Sequence, residues 1–532
     1  MKTKNLFLFL LVLAVTASHL FATGSRAGSS GTSGGPTLIR ISTPPGAART
    51  YRADQPQIQE VLRRLNIEIE YNSPPNYDAL NLVFASNDLP DLIAFQGMDF
   101  QQYISTGYLR PLDDLLRTRG QNVLRGTSQD AWRLMTIQGN IMAMPYENTR
   151  IKRFVMMRSD WLRNVGVDLS RNQNYGNFGG KVITLDQYRD ILIRFTRNDP
   201  DGNGRGDTYG VGSSERQWNW AWGNVYGAFG GIPGHYYITN NVATPWVVTD
   251  QYRAGLQYLN SLWREGVIDP EIYLNANDQA MQKMINGVSG SASGEWWSRG
   301  ASMQIDGMRA RVPEAELIPI RLTSNDGRIS GAPDNGLVSH AWTISTTSRV
   351  ADKAMDLLDF LSTDEGWYLA YWGIQGVDYN MVNGFPVLTD TGNTKRSNDT
   401  LDPLYILSNR RDLANHVARR PLSADWTQAL SQQWSPMQDD ILPGDTQPQP
   451  SYTSAFYGIP NPQAFNEYGV DVETWIEQSA MAFITGETPL NDANWNNYLN
   501  TWRRMGGVRI LQGFIDSYNR LNGTRITAGI TE

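Results

Sequence analysis

TLIRIS at residues 37–42 begins the stretch that decides the fold, because strand-like and helix-like runs alternate from there: QPQIQEVLRRL (55–65), IEIEY (67–71), DALNLVFAS (78–86) and DLIAF (91–95). Such alternation predicts an α/β fold, a parallel sheet with helices on both faces. Ligands bind such sheets at the carboxyl ends of the strands, near the point where strand order reverses. We therefore expect loops 43–52 and 96–99 to border a binding site.

Outward from this stretch the pattern predicts further segments of the chain. We assign residues 1–22 to a signal peptide, 23–36 to a Gly/Ser-rich tether, 37–150 to the first part of lobe 1, 151–335 to lobe 2, and 336–532 to a return to lobe 1 with a helical C-terminal region. Crossings between the lobes are expected near 145–150 and 335–342.

Composition limits the possible functions. The chain has 532 residues, 40% of them hydrophobic, and a formal net charge of -7, which opposes a nucleic-acid partner. It has no cysteine, so disulfides, thiolate metal sites and cysteine nucleophiles are excluded. Histidines number 4, tryptophans 17 and tyrosines 24, a balance that suits binding better than acid/base catalysis.

The first residues predict export. Lys2 and Lys4 precede an apolar run at 6–17, with small residues before candidate cleavage sites after Ala17 and Ala22. This pattern is typical of a secretory signal peptide and is short for a membrane span. We expect a periplasmic or secreted protein; a retained anchor is the alternative. No cysteine follows the apolar run, so no lipid anchor is expected there.

Residues 199–210, DPDGNGRGDTYG, resemble a calcium-binding loop. Oxygen-bearing side chains occupy loop positions 1, 3, 5 and 9, and Gly204 occupies position 6, where such loops turn sharply; these ligands are Asp199, Asp201, Asn203 and Asp207, with Arg205 offering its backbone carbonyl at position 7. Position 12, normally a bidentate Glu, is Gly210, and a strand follows. A solvated Asp/Asn/Gly turn without metal is the alternative.

Five motifs together resemble family 1 extracellular solute-binding proteins of ABC importers, in the large lipoprotein-like subgroup that includes alginate-oligosaccharide binders. They are ASNDLPD (85–91), GYLRPL (107–112), DWL (160–162), the loop 199–210, and EGVIDPE (265–271). The resemblance implies a two-lobed type II periplasmic-binding fold with a cleft between the lobes, each lobe a sheet flanked by helices. It also implies a carbohydrate ligand, structural calcium in the loop, and an ABC permease as partner; at position 10 the alginate binders typically have an acidic ligand, whereas this chain has Thr208.

The ligand is expected in the cleft, where hinge closure would bring both lobes onto it. Sugars present apolar faces and hydroxyl edges, so flat aromatic rings and fixed polar groups are expected to line the pocket. Our candidate stacking residues are Trp218, Trp220, Trp222, Trp296, Trp297 and Trp342, and our candidate hydroxyl partners are Glu295, Asn335 and Tyr146. Each tryptophan has a rival role in a hydrophobic core. We expect a monomer with no catalytic residues.

Two other functions stay open at this point. A secreted glycosidase would need two carboxylates flanking the bond it cleaves, for example Glu295 with Asp334. A sensor subunit would present its ligand to a receptor by the same closure. No motif supports the enzyme, and only a partner protein distinguishes the sensor from the importer.

Overall fold

The structure is a computed structural model that describes residues 35–45, 51–147, 153–168, 181–212, 222–272, 274, 277–295, 308–313, 315, 317–327, 332–333, 337–382, 385–397, 404, 451–452 and 454–531. The expected signal peptide and nearly all of the tether lie outside these residues. Residues Thr37–Glu532 form one unit of the chain. Within the described residues, no helix has the length and apolar character needed to cross a bilayer.

The described strands form two five-stranded sheets, one three-stranded sheet and three two-stranded pairs. In chain order they are β1 (Thr37–Ser42), β2 (Ile67–Asn72), β3 (Leu92–Gln96), β4 (Thr136–Ile137), β5 (Asn140–Ile141), β6 (Met144–Glu147), β7 (Arg153–Arg158), β8 (Lys181–Thr184), β9 (Tyr209–Val211), β10 (Tyr236–Thr239), β11 (Val242–Pro245), β12 (Ser289–Glu295), β13 (Leu317–Thr323), β14 (Ala332–Pro333), β15 (Val338–Ile344), β16 (Tyr379–Val382), β17 (Phe385–Leu388), β18 (Ser451–Tyr452) and β19 (Thr527–Ala528).

The described helices cover both sheets and fill the C-terminal region. They are α1 (Pro56–Leu65), α2 (Tyr77–Ser86), α3 (Asp113–Arg119), α4 (Gln121–Gly126), α5 (Gln129–Met135), α6 (Ser159–Asn164), α7 (Leu185–Arg197), α8 (Gly223–Gly227), α9 (Asp250–Arg264), α10 (Asn277–Ile285), α11 (Ala351–Leu361), α12 (Asp364–Trp372), α13 (Asp390–Ser397), α14 (Gln463–Thr485), α15 (Asp492–Arg504) and α16 (Gly507–Asn522). Short 3-10 turns occur at Asp99–Thr106 and Trp246–Val248.

The first sheet has the strand order β2-β1-β3-β15-β6. Strand β1 pairs in parallel with both β2 and β3, so the chain moves to one side of β1 through α1 and returns to the other side through α2. The strand order therefore reverses between β1 and β3, beside the two loops that the sequence predicted. The predicted alternation of strands and helices in residues 37–95 is confirmed to within about one residue at most ends.

The second sheet has the order β8-β13-β7-β12-β9. Strand β7 is antiparallel to β12 and β13, while β8 runs parallel to β13 and β9 parallel to β12. Helix α7 packs beside it with a capping box at Thr184 and Gln187, and buries one face that includes Tyr188, Leu192 and Phe195. This buried face agrees with the apolar spacing in the sequence.

Each sheet has its own hydrophobic core. The first core collects side chains from residues 39–144 and 338–370, together with Leu404. The second collects side chains from residues 155–322 and also from 456–526, so α14, α15 and α16 pack with lobe 2. The assignment of residues 336–532 to lobe 1 thus describes β15, α11 and α12, whereas the C-terminal helices belong to the second core.

Candidate functional site

The chain crosses between the two sheets at one edge of each. Strand β6 ends at Glu147 and β7 begins at Arg153, so the two ends lie no more than about 20 Å apart along an extended chain. In the first sheet, β6 runs parallel to β1, β2 and β3, because β15 is antiparallel to both β3 and β6. The crossing therefore leaves from the edge formed by the carboxyl ends of these strands.

The crossing also enters the second sheet at the edge where the carboxyl ends of its other strands lie. Strand β7 is antiparallel to its neighbours, so its first residue, Arg153, lies at the edge where β8, β9, β12 and β13 have their carboxyl ends. We call these two borders the carboxyl edges. Both meet the same crossing segment, and ligands of open α/β sheets bind at this kind of edge. The candidate site is therefore defined by the two carboxyl edges.

Polar side chains and backbone bonds organise the carboxyl edge of the first sheet. Thr43, directly after β1, is fully buried, and its hydroxyl lies 2.9 Å from the Ser73 hydroxyl. Gly97, directly after β3, has a φ of 47° and donates its backbone N–H to the Ser339 carbonyl at 2.7 Å. The first bond joins the loops after β1 and β2 to each other, and the second joins the loop after β3 to the start of β15.

An aromatic pair lies at the same edge. Tyr146 of β6 stands opposite His340 of β15, and their ring centroids are 5.9 Å apart at an interplanar angle of 67°. His340 is also paired in register with Gln96, the last residue of β3. The structure thus places Tyr146 at the candidate site and adds His340. The sequence carried no signal for His340, because the pairing joins residues almost 200 positions apart.

A second aromatic pair borders the end of β2. Tyr51, in the loop that follows β1, stacks on Tyr71 with centroids 5.1 Å apart and planes 16° apart. Burial raises the pKa of Tyr51 to about 12, so its phenol stays neutral in the physiological range. The sequence reasoning did not single out this pair, although Tyr51 falls within the predicted loop 43–52.

The second carboxyl edge carries several predicted residues by chain position. Glu295 is the last residue of β12, and its backbone pairs with Arg153. Trp296 and Trp297 follow it directly, and Trp218 and Trp220 follow β9; these four tryptophans, the side chain of Glu295, and Asn335 and Asp334 between β14 and β15 lie outside the described residues. Their roles stay predictions.

Two of the predicted stacking residues are core side chains. Trp342, in the middle of β15, is fully buried in the first core, and Trp222, before α8, is 4% exposed in the second. A buried indole has no face to offer a ligand, so these placements favour the rival core role for both. The predicted ligand-binding role is therefore not proposed for Trp222 or Trp342.

A side-chain contact joins the two lobes at residue 457. The Tyr457 hydroxyl accepts a bond from the Val338 N–H at 2.9 Å and lies 3.2 Å from the Val338 carbonyl. The preceding segment bonds to lobe 2, since Ala455 donates its N–H to the Tyr236 carbonyl at 2.8 Å. Tyr457 therefore ties the lobe 2 side of the chain to the first strand residue after the crossing near 335.

The loop at 199–207 brings its carboxylates around one residue. The Asn203 N–H lies 3.0 Å from Asp199 Oδ1, and its amide Nδ2 lies 2.8 Å from Asp201 Oδ2 and 3.2 Å from Asp207 Oδ1. Positive φ angles at Asp199 (47°), Gly202 (70°) and Gly204 (77°) produce the coil. Partial burial, and then the nearby Asp199 carboxylate, raise the pKa of Asp201.

The types of ligand in this loop suit calcium, but their present arrangement does not form a complete coordination site. Three carboxylates and one amide oxygen are ligands that calcium prefers. Among the described residues, however, no group of three or more His, Cys, Asp or Glu side chains is placed to hold a metal ion, and the Asn203 oxygen accepts the Arg205 N–H at 2.8 Å. A bound cation would need the Asn203 amide to turn.

Thr208 at loop position 10 points away from the loop. Its side chain is 2% exposed, and its hydroxyl donates to the Phe195 carbonyl at the end of α7, at 2.8 Å. Gly210 also contacts α7, because its N–H donates to the Thr196 hydroxyl at 3.0 Å. Thr208 therefore anchors the loop to the helix and is not directed toward the loop carboxylates.

Comparison with known proteins gives the family. Residues 50–366 match the family described as bacterial extracellular solute-binding protein. The chain is 21% identical over 502 residues to lipoprotein LipO of Bacillus subtilis (strain 168), covering 91% of this chain and 93% of that one. It is 20% identical over 530 residues to the polygalacturonan/rhamnogalacturonan-binding protein YtcQ of the same organism, covering 97% and 99%.

A solved structure supports the same fold. The alginate-binding protein AlgQ2, in a crystal structure without calcium ion, matches with a TM-score of 0.63 at 19% identity, covering 91% of this chain and 98% of that one. The expected two-lobed α/β fold is thereby confirmed. Since the family match spans more than half of the sequence and the relatives cover nearly all of it, the chain belongs to the bacterial extracellular solute-binding proteins.

Proposed function

We propose that this protein is the substrate-binding component of an ABC importer and that it binds a carbohydrate, an oligosaccharide, between its lobes. The observation that carries the proposal is the meeting of the two carboxyl edges at one crossing, in a member of a solute-binding family. The name of the relative YtcQ supports the ligand class, because that protein binds polygalacturonan and rhamnogalacturonan.

Hinge closure explains how the permease would distinguish the ligand-bound protein from the free protein. A ligand that contacts both carboxyl edges only in the closed form binds that form more tightly than the open form. The difference between the two affinities shifts the equilibrium toward the closed form. We propose that the hinge lies in the connections between the two cores, which are those at 148–152, at 334–337, and between Leu404 and Phe456. The permease then recognises the closed form and receives the ligand.

The proposed ligand-binding residues are those that the sequence and the strand order place at the two carboxyl edges. Tyr146 beside His340 supplies an aromatic surface and polar atoms on lobe 1. On lobe 2, Glu295, Trp296 and Trp297 at the end of β12 supply a carboxylate and two rings, which suit sugar hydroxyls and sugar faces respectively. Trp218, Trp220 and Asn335 complete the proposed set. None of these groups is assigned a catalytic step, and the ligand is released chemically unchanged.

Calorimetric titration of the purified protein with pectic and other oligosaccharides tests this function. We expect one class of oligosaccharide to bind and to be recovered intact by mass spectrometry. W296A/W297A should lose at least about tenfold in affinity while keeping its melting temperature, because we assign both rings to the ligand and neither to a hydrophobic core. Cleavage of the oligosaccharide would refute the binding function, and unchanged affinity of the variant would refute the assigned rings.

We also propose that the loop of Asp199, Asp201, Asn203, Arg205 and Asp207 binds calcium as a structural brace. The ring of carboxylates around Asn203 supports this proposal, and calcium would supply the positive charge that offsets their repulsion. Calcium added to metal-stripped protein should raise its melting temperature, and D199N/D201N should abolish the rise. The control D114N/D130N removes two exposed carboxylates elsewhere and should leave it intact; no rise in wild type contradicts the brace.

Localisation and partners complete the proposal. Membership of an extracellular family fits an extracytoplasmic protein. We propose a signal peptide cleaved after Ala17 or Ala22, and a monomeric protein. N-terminal sequencing of the exported protein, and gel filtration, test these points. Capture of a permease, and not of a receptor, distinguishes the importer from a ligand-presenting sensor.

A further inference from the structure

A concave basic surface lies on lobe 2, formed by the C-terminal helices. Its volume is about 750 Å³, and its lining residues are Asn497, Asn500, Arg503, Arg504 and Arg509. We call it the arginine pocket. It combines three guanidinium groups and two side-chain amides on a protein whose formal net charge is -7.

A tight turn between two helices builds the arginine pocket. Arg503 and Arg504 lie in the last turn of α15, and Arg509 lies in the first turn of α16. Gly506 between the helices has a φ of 107°, and a Cβ there would come within 2.6 Å of the Tyr468 ring. Glycine is therefore required at this turn, and the turn brings the three arginines to one place.

None of the three arginines has a carboxylate partner among the described residues. Arg503 donates Nε to the Thr531 carbonyl at 3.2 Å and Nη1 to Asn500 Oδ1 at 2.8 Å, while Arg504 donates Nη2 to the Thr501 hydroxyl at 2.9 Å. Arg509 donates Nη1 to the Tyr468 hydroxyl at 2.9 Å. Neutral acceptors thus orient the guanidinium groups without neutralising them.

Exposed arginines elsewhere on this protein are commonly paired. Arg119 lies 2.9 Å from Asp356, Arg197 lies 2.9 Å from Glu265, and Arg253 lies 2.6 Å from Asp492. An acidic protein offers many carboxylates to a surface guanidinium. Other arginines, such as Arg125 and Arg520, also bond to neutral acceptors, to Asn122 and Ser517 respectively. The arginine pocket differs because it gathers three such guanidinium groups in one place, which concentrates an attractive potential for an anion.

Helix stability does not account for this cluster. Cations in the last turn of a helix interact favourably with its dipole, which explains Arg503 and Arg504. Arg509 occupies the first turn of α16, where the dipole disfavours a cation. Its guanidinium packs over the Tyr468 ring at 5.3 Å, which holds it at the pocket wall. The charge at this position suits an anion better than it suits the helix.

We propose that the arginine pocket binds a phosphate group. Guanidinium forks match the oxygens of phosphate, and three positive charges suit a phosphate dianion better than a single carboxylate. The volume exceeds that of phosphate itself, so the remainder of the phosphorylated molecule has room beside it. The source is either a soluble phosphate compound or a phospholipid headgroup. The carbohydrate site at the carboxyl edges is separate, and neither proposal depends on the other.

Thermal unfolding of the full chain in inorganic phosphate, against chloride at equal ionic strength, provides the first measurement, because a ligand of the native state raises its stability. We expect a phosphate-dependent rise for wild type and at least about tenfold weaker phosphate binding for R503Q/R509Q. The control R63Q/R117Q removes the same charge from two arginines that pair with Glu60 and Asp114, and it should behave as wild type.

Co-sedimentation with phosphatidylglycerol/phosphatidylcholine vesicles, against pure phosphatidylcholine vesicles, provides the second measurement. Vesicle binding that R503Q/R509Q loses and R63Q/R117Q keeps supports the proposal and identifies a lipid headgroup. A loss of phosphate binding without any vesicle binding supports it and identifies a soluble phosphate. Wild type that responds to neither probe, or R503Q/R509Q that responds as wild type does, overturns the proposal.

Discussion

Replacement of Gly210 by alanine should destabilise lobe 2 through a backbone clash. A Cβ at Gly210 would lie 2.7 Å from the Leu192 Cβ and carbonyl oxygen and 2.8 Å from its Cα, against 3.4 Å or more in ordinary contact. The opposing atoms belong mainly to the backbone of α7, so a side-chain rotation cannot relieve the overlap. Either the helix or β9 must move.

The expected cost is that of inserting a methyl group into a packed interface, about 1–3 kcal/mol of unfolding free energy. Gly206 in the same loop is the matched control, because a Cβ there would meet nothing within 4 Å. G206A should change the unfolding free energy by no more than about 0.5 kcal/mol, as most surface substitutions do.

Urea unfolding followed by tryptophan fluorescence measures both variants. Gly210 stands at position 12 of the loop, where a calcium-binding loop normally has a bidentate Glu. The close approach explains why a long side chain is absent there. If G210A unfolds at the same urea concentration as G206A, the contact between α7 and β9 is not tight, and this explanation fails.

Three further predictions concern contacts within and between the cores. W342A should lower the unfolding free energy by about 3–5 kcal/mol, because it empties a buried site; an unchanged stability with lost sugar affinity would return Trp342 to the ligand site. Y457F should cost about 1–3 kcal/mol and speed hydrogen exchange at the Val338 amide, which loses its acceptor; unchanged exchange would argue against the tie. D160N should cost about 3–5 kcal/mol, because Asp160 pairs with Arg158 at 2.5 Å where both side chains are nearly buried; a loss below about 1 kcal/mol on urea unfolding would contradict this.

The position of the carboxyl edge of the first sheet was predictable from the local sequence pattern. The alternation in residues 37–95 already implies that β1 and β3 flank the reversal of strand order, because a strand and its crossover helix are contiguous in sequence. The structure confirms that reversal between β1 and β3. Information that lies within about 60 residues was therefore sufficient for the first carboxyl edge.

The faces of individual residues were not predictable in the same way. The run VSHAWTI in β15 alternates, but helices cover both faces of such a sheet, so alternation does not tell which face admits a ligand. His340 and Trp342 lie two residues apart and therefore share a face of β15. Trp342, in the middle of the strand, is buried in the core, whereas His340, nearer the carboxyl edge, pairs with Tyr146. The register between β15 and β6 decides this outcome, and register is a property of distant segments.

The local sequence pattern also did not predict which sheet the C-terminal helices pack against. The amphipathic pattern of α14, α15 and α16 predicts helices with one buried face, and it does not state which sheet that face covers. Phe514 and Tyr498 pack in the second core, so the chain passes to that core once more after residue 336, between Leu404 and Phe456. Such a later crossing is compatible with the segments assigned from the sequence, which did not locate it.

The interleaving of the two cores has a consequence for how the protein is made. The Tyr498 hydroxyl bonds to the Val247 carbonyl 251 positions away, and the Thr343 hydroxyl bonds to the Ile93 carbonyl 250 positions away. Contacts of such long range form slowly, because the loops between them must close first. A nascent chain that ends before Phe456 lacks part of the second core. Assembly of the second core therefore requires nearly the whole chain, whereas the described side chains of the first core are all present once residue 404 has been synthesised.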